Sequence, residues 1–154
     1  MHSRGFTLIE VMITITVLGI LLFVGVPLTQ AWSNSGYQRD AAGLLKQGIS
    51  RTKAMALRNP GGVQNAAPAA ALCRSGQTLK LFSITIGQSI DCSLTTNILW
   101  RSSIPTTASI QASGVDVKCI AFNNQGLPLS VNSCTTTTIQ VTAGSENAVD
   151  VPII

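Results

Sequence analysis

Histidine is nearly absent from this sequence, since His2 is the only one among its 154 residues. Ser–His and Cys–His nucleophiles need an imidazole as their base, so the chain beyond position 2 cannot assemble either arrangement. The stretch Asn59-Pro60-Gly61-Gly62 lacks the Lys-Ser/Thr pair of a phosphate-binding P-loop. Glu146 and Asp150 are interpreted as solvated surface charges near the C-terminus. We therefore expect no enzymatic activity and no cofactor.

Charged residues are also scarce, at 10% of the chain, and there are none between Val11 and Trp32. About 20 apolar residues at ~1.5 Å each are enough for a helix to cross the hydrocarbon core of a bilayer. The length of the run and the lack of a small-residue cleavage site with a polar flank argue against a secretory signal peptide. The segment therefore predicts a membrane-spanning helix, of which an ordinary signal anchor is the simplest kind.

One acidic residue, Glu10, interrupts the wider apolar block that begins at Phe6. A carboxylate near the membrane core is costly to bury without a partner, so it is a candidate functional residue by default. The alternative is an interfacial glutamate that extends toward the lipid headgroups. A plain signal anchor also leaves unexplained the order of Arg4, Gly5 and Phe6 ahead of this glutamate.

Lysine and arginine are absent from residues 119–154 but frequent in residues 33–62, where the only acidic residue is Asp40. The basic residues of this second segment either form an ordinary solvated helix face or contact anionic headgroups and acidic subunit surfaces. They are Arg39, Lys46, Arg51, Lys53 and Arg58.

Four cysteines follow the apolar segment, and their even number in an exported domain predicts two disulfides with three possible connectivities. We favour Cys73–Cys92 and Cys119–Cys134, because each pairs neighbours across one strand-and-loop unit. A zinc site is the alternative. Because the cysteines form no C-x-x-C and no histidine follows residue 2, we expect no metal site.

These features divide the chain into a short basic leader, residues 1–5, an apolar helix, residues 6–32, and an exported globular domain, residues 33–154. Apolar residues at three- and four-residue steps predict that the helix continues over residues 33–59 as an amphipathic helix. It should stop at Asn59-Pro60-Gly61-Gly62, where the proline disfavours helix before it and the glycines permit a left-handed cap. Residues 73–154 are expected to be β-rich.

Residues 63–72 are rich in alanine and contain Pro68, so we expect a mobile loop there. Beyond them, alternating patterns and β-branched residues predict a series of short strands. Gly126 is placed for the positive φ of a turn. A sheet built from these strands would pack its apolar face on the helical stripe, which predicts an α+β fold. The predicted strands are residues 79–86, 98–101, 108–112, 115–122, 127–131, 136–142 and 148–153.

The stretch Gly5-Phe6-Thr7-Leu8-Ile9-Glu10 resembles the processing site of type IV prepilins and type II secretion pseudopilins. The resemblance implies a pilin fold and a prepilin peptidase that cuts after Gly5 and methylates the new amino group of Phe6. It also implies a helix kink at Pro27 and a role for Glu10 in assembly, where its carboxylate pairs with the amine of a neighbouring subunit and sets the register.

The rest of the chain has a looser resemblance to minor pilins and pseudopilins of the GspH, FimT and FimU type, and most to the FimU type. The matching positions are the helix end at Arg51–Pro60, the Leu72-Cys73 segment, Trp100, and Ala121-Phe122 followed by Gly126. The implied function is a minor pilin that primes assembly of a type IV pilus and is incorporated at or near its tip. The alternatives are a minor pseudopilin of type II secretion and a FimT-like DNA receptor for natural transformation.

The implied partners are the other minor pilins, the major pilin, the prepilin peptidase, the inner membrane and its assembly platform. DNA is a further candidate partner, although FimT-like relatives bind it through a basic C-terminal region and residues 119–154 here contain no lysine or arginine. Before assembly the protein would span the inner membrane once with its C-terminal domain in the periplasm. After assembly it would lie at the pilus tip, on the cell surface.

Overall fold

A computed structural model describes residues 6–153 of the chain, with the backbone alone at positions 26–28. Over these residues, one helix, α1 (Leu8–Arg58), is followed by nine strands. The chain divides into two compact units, Met1–Ser33 and Asn34–Ile154, and α1 contributes to both. The first unit is helical from Leu8 onward, whereas the second contains the end of α1 and every strand of the described residues.

The second unit contains two antiparallel sheets. The larger has five strands in the order β3-β2-β1-β6-β7, and the smaller has four in the order β5-β4-β8-β9. An isolated parallel bridge joins Cys119 and Cys134 outside these ladders. The strands are β1 Pro68–Ser75, β2 Thr78–Ser83, β3 Trp100–Ser103, β4 Ala108–Ala112, β5 Val115–Asp116, β6 Cys119–Asn123, β7 Pro128–Leu129, β8 Ile139–Ala143 and β9 Val149–Val151.

The main hydrophobic core joins the end of α1 to both sheets. The helix contributes a buried stripe that includes Leu45 and Ile49, the larger sheet contributes Phe122, and the smaller contributes Ile110 and Val141. These side chains recur at helical spacing on α1 and at alternate positions on the strands, which is the pattern that lets each element bury one face. The α+β architecture predicted from the sequence is therefore confirmed.

The same face of α1 is also held to the smaller sheet by a buried amide. The Nε2 atom of Gln38 donates to the carbonyl of Val141 at 2.8 Å and to that of Asn147 at 2.6 Å. Because a buried amide donor without partners would cost free energy, these two carbonyls explain why a glutamine is tolerated beside the core. The sequence pattern alone did not distinguish Gln38 from the exposed polar residues around it.

The predicted loop at residues 63–72 is wrong over its second half, because β1 begins at Pro68 and lies at the centre of the larger sheet. Ala70 faces the main core, while Ala71 belongs to a second buried cluster behind the sheet. A strand covered on both faces is apolar throughout and does not alternate, so it lacks the usual sequence signature. Alanine also has a low strand propensity, so the segment lacked the β-branched and aromatic residues that would otherwise indicate a strand.

The predicted strand at residues 115–122 is instead two strands, β5 and β6, that belong to different sheets. The chain crosses between the sheets at Val117 and Lys118. The Val117 amide donates to Ile110 in β4, and the Lys118 carbonyl accepts a bond from Arg74 in β1. The alternating letters continue across the crossing, so the sequence showed a single run, although both residues of β5 are exposed and every residue of β6 is buried.

The helix ends at Arg58, one residue before the predicted end at position 59, and Asn59 rather than a glycine takes the left-handed position, with φ of 45°. Asn59 tolerates this conformation better than most residues because its short polar side chain bonds locally. Its side chain both donates to and accepts from the backbone of Val63, at 2.8 and 2.9 Å. The chain thereby turns directly toward β1.

Candidate functional site

The N-terminal end of α1 carries the candidate assembly site, and its geometry begins with Thr7. The Glu10 amide donates to the Thr7 carbonyl at 3.1 Å and approaches the Thr7 hydroxyl oxygen at 3.4 Å. Thr7 is therefore the N-cap of α1, and Glu10 occupies the third helical position. Thr-x-x-Glu is the sequence pattern of a capping box, in which glutamate and glutamine are both favoured at that position, and the structure shows the half of it in which the Thr7 hydroxyl accepts from the Glu10 amide.

The position of Glu10 in the first turn of α1 gives it a structural role that the sequence analysis missed, although the signal was present in the letters Thr7-Leu8-Ile9-Glu10. A carboxylate in the first turn also interacts favourably with the positive end of the helix dipole. Both effects are local to one chain. A test of Glu10 in assembly must therefore separate its charge from its contribution to the helix start.

Around Glu10, the helix presents an apolar surface that the first unit does not cover. Phe6 is 82% exposed, Ile9 67% and Ile13 58%. The hydroxyl groups of Thr14 and Thr16 bond back to carbonyls of their own helix, which lowers the cost of placing them in an apolar environment. This part of α1 is therefore an exposed apolar helix whose side chains require lipid or other helices around them.

This arrangement allows the Glu10 carboxylate to pair with a positively charged group. Glu10 is exposed, so its carboxylate can reach a positive group on a neighbouring helix. Within an apolar array, such a pair contributes to register more than to net stability, because desolvation of the two charges offsets much of their attraction. The cleavage position Gly5 and the side chain of Pro27 lie outside the described residues, so the processing site and the kink remain predictions.

The second unit contains a cluster of cationic and aromatic side chains on the exposed side of α1. The guanidinium carbon of Arg51 lies 5.4 Å from the ring centroid of Trp100, which is a cation–π distance. Arg58, two turns further along the helix, and Leu99 border the same shallow cavity of about 250 Å³. We call Arg51, Arg58, Leu99 and Trp100 the Arg–Trp cluster.

Trp100 itself lies against the core as well as under Arg51. A side chain at Gly48 would meet the Trp100 ring at 3.1 Å and Leu72 at 3.0 Å. Glycine at this helical position therefore lets Trp100 pack close to α1. Of the other basic residues of the segment, Arg39 and Lys46 are exposed, as on a solvated face, and Lys53 is half-buried.

The structure joins Cys73 to Cys92 and Cys119 to Cys134, which are the pairings favoured from the sequence. All four sulfur atoms are thus in disulfides, and none is left as a thiolate ligand for the zinc site weighed as an alternative. The first disulfide ties the long segment between β2 and β3 to the central strand β1. The second ties the segment after β7 to β6.

Comparison with protein families finds one motif, the prokaryotic N-terminal methylation motif, over residues 1–26. This motif indicates a type IV pilin-like protein, of either a pilus or a pseudopilus. Together with an apolar helix long enough to cross a bilayer, it indicates anchoring in a membrane. No curated protein and no solved structure matches the chain.

Proposed function

We propose that this protein is a minor pilin, most similar to the FimU type, that primes assembly of a type IV pilus and is incorporated at or near its tip. The observation that carries the proposal is the exposed Glu10 carboxylate at the start of an uncovered apolar helix that carries the N-terminal methylation motif. A helix of this kind is suited first to lipid and then to packing among other subunits.

Cleavage of the leader is the first event in the proposed assembly pathway. Prepilin peptidase cuts after Gly5 and methylates the amino group of Phe6, which places a positive charge four residues before Glu10. In the array, the Glu10 carboxylate of an incoming subunit pairs with the amine of its neighbour. The partners are the other minor pilins, the major pilin and the inner-membrane assembly platform.

The minor-pilin assignment is supported by where the downstream motif residues lie. Trp100 pairs with Leu81 in β2, and Leu72 and Ala121 lie on adjacent strands, β1 and β6. The helix end at Arg51 contacts Trp100. The positions that resemble minor pilins therefore form one continuous part of the larger sheet and its helix. Two disulfides also suit a domain that is exposed outside the cell.

The test is the amount of surface-sheared pili in a deletion strain whose retraction machinery is intact. Complementation would use the wild-type chain, Glu10→Ala and Glu10→Gln. Glutamine is favoured at this position of a capping box as glutamate is, but it carries no charge, so it separates charge pairing from helix capping. We expect a large loss of pili in the deletion strain, rescue by the wild-type chain, and failure of both variants despite normal processing.

Glu146→Ala is the matched control, because it removes one carboxylate from the second unit and leaves α1 intact. It should restore piliation fully. Rescue by Glu10→Gln but not by Glu10→Ala would show that helix capping, not charge pairing, is what assembly needs. Unchanged piliation in the deletion strain would contradict the minor-pilin proposal, and a loss of protein secretion in that strain would point to a pseudopilus.

The Arg–Trp cluster favours a second candidate function, binding of DNA during uptake. A guanidinium beside an aromatic ring can contact a phosphate and stack a base. The test is a mobility shift of single-stranded DNA by the full chain in detergent. Arg51→Gln should weaken binding several-fold more than Arg39→Gln, a control on the same helix outside the cluster. Equal weakening would indicate nonspecific charge attraction only.

A further inference from the structure

The two disulfides are close neighbours in space. Cys73 and Cys119 lie opposite each other on the paired strands β1 and β6. Their sulfur atoms and that of Cys92 all lie within 4.8 Å of one another. Three sulfur atoms from two disulfides therefore occupy one cluster, while Cys134 is bonded to Cys119 at its edge. We call Cys73, Cys92 and Cys119 the sulfur cluster.

The four cysteines differ in their accessibility to solvent. Cys73 is 0% exposed, and Cys119 and Cys134 are also buried, whereas Cys92 is only half-buried. Cys92 borders an open surface cavity of about 400 Å³ that Arg74 and Lys118 also line. Because access governs which sulfur of a disulfide a thiolate attacks, Cys92 is the sulfur that an external thiol reaches first.

We propose that Cys92 is a thiol–disulfide exchange site, and that an attack there is passed through the sulfur cluster to Cys134. In the first step, the thiolate of an external dithiol attacks the Cys92 sulfur. A mixed disulfide forms at Cys92, the Cys73–Cys92 bond breaks, and Cys73 leaves as a thiolate. The number of disulfide bonds is unchanged.

In the second step, the Cys73 thiolate attacks the sulfur of Cys119, its neighbour across the two strands. A Cys73–Cys119 bond forms, the Cys119–Cys134 bond breaks, and Cys134 leaves as a thiolate. The second thiol of the external dithiol then attacks the dithiol sulfur that is bonded to Cys92. A disulfide forms within the dithiol, which is thereby oxidised, and Cys92 leaves as a thiolate. The net result is that one dithiol reduces one of the two disulfides. The segment between β2 and β3 and the segment after β7 are both released, and one disulfide, Cys73–Cys119, remains between β1 and β6.

The intramolecular step can be isolated in the full-length chain in detergent with a pair of single substitutions. Cys134→Ser leaves Cys119 as a free thiol inside the sulfur cluster. We expect partial loss of the native Cys73–Cys92 link, appearance of links between Cys119 and either Cys73 or Cys92, and alkylation at the cysteine displaced. Acid quenching followed by peptide mass spectrometry locates each link and each label.

Cys119→Ser is the matched control, because it breaks the same disulfide but leaves the free thiol on Cys134, outside the cluster. It should keep the native Cys73–Cys92 link and take alkylation at Cys134 alone. If Cys134→Ser likewise keeps that link, with its label confined to Cys119, the exchange proposal is wrong. Equal scrambling in both variants would also overturn it, since exchange would then not depend on the cluster.

A measurement on the wild-type protein guards against a misfolded variant. With limiting dithiothreitol, alkylation should appear at Cys92 and Cys134 together, while a peptide linking Cys73 to Cys119 accumulates. Independent reduction of the two disulfides would instead label Cys73 with Cys92, and Cys119 with Cys134. That second pattern would overturn the proposal.

Discussion

Substitution of Gly61 by alanine should destabilise the second unit more than any neighbouring glycine substitution. Gly61 follows the helix end and approaches the backbone of the segment after β2. The Ile86 amide donates to its carbonyl at 3.1 Å. A Cβ atom at this position would lie 2.7 Å from the Thr85 Cα and 2.8 Å from the Ile84 carbonyl carbon.

The size of the effect follows from this overlap. Carbon atoms pack at about 3.5–4.0 Å, so the two backbones must separate by roughly 1 Å. Overpacking typically costs about 1–3 kcal/mol, and the upper end applies because backbone atoms cannot rotate away. The bond from Ile86 to Gly61 would be weakened as well, at about 1 kcal/mol. We therefore expect a loss of about 4 kcal/mol and a fall in Tm of roughly 12 °C.

Gly62 offers a matched control with a different physical reason. Its φ is +64°, but nothing lies within 4 Å of the place where its Cβ would be. Alanine at Gly62 should cost about 1–2 kcal/mol for the left-handed conformation. Asparagine tolerates that conformation, so Gly62→Asn should be nearly neutral, whereas Gly61→Asn should be as harmful as Gly61→Ala.

The assay is thermal unfolding of the full chain in detergent, followed by circular dichroism with the disulfides intact. A Tm for Gly61→Ala within about 3 °C of the wild type would refute the reasoning, since it would correspond to less than about 1 kcal/mol. It would mean that the helix end and the Ile84–Thr85 segment separate at little cost. Equal effects of asparagine at the two glycines would refute it too.

Three further predictions concern the second unit. Phe122→Ala empties a fully buried site and should cost about 3–5 kcal/mol, whereas Leu127→Ala, at a 55% exposed position, should stay within about 0.5 kcal/mol by the same thermal assay. Asn59→Gly keeps the left-handed helix end but loses two side-chain hydrogen bonds, so its Tm should lie between those of the wild type and Asn59→Ala. The Ser93 hydroxyl and amide hold the pKa of Asp91 below its ordinary value of 3.8. The stabilisation of the folded state by the charged Asp91 carboxylate is therefore present above pH 3.8 and is lost as the pH falls through the lower folded pKa. An NMR titration of Asp91 should give a midpoint below 3.8 that rises in Ser93→Ala.

The parts of the fold that the sequence predicted are those whose signal is local. The amphipathic stripe on α1 repeats at helical spacing, and Asn59-Pro60 ends it, so the helix boundary needed no tertiary information. The strand at residues 108–112 was predicted with the bounds that the structure gives it, because turn signals flank it. In each case the residues that decide the structure are neighbours in the chain.

The parts that the sequence did not predict depend on contacts between distant segments. Ala70 and Ala71 form a strand because β2 and β6 supply hydrogen bonds on either side and both faces are covered, and none of these partners is visible in the local pattern. The same holds for the crossing between β5 and β6. At the site, Arg51 and Trp100 were each noted separately, but their contact requires the register of β3 on β2.

The cysteines show this division within one feature. Each disulfide joins two cysteines that are only 19 or 15 positions apart, and each partner is the nearest cysteine along the chain, so pairing by proximity succeeds. The sulfur cluster, in contrast, arises because β1 and β6 pair with Cys73 opposite Cys119. The spacing of the cysteines along the chain does not predict the register of β1 on β6, because that register is set by which residues of the two strands are buried in the core. The chemistry we propose for Cys92 is therefore a property of the folded sheet, and unfolding the domain should abolish the preference for the Cys73–Cys119 link.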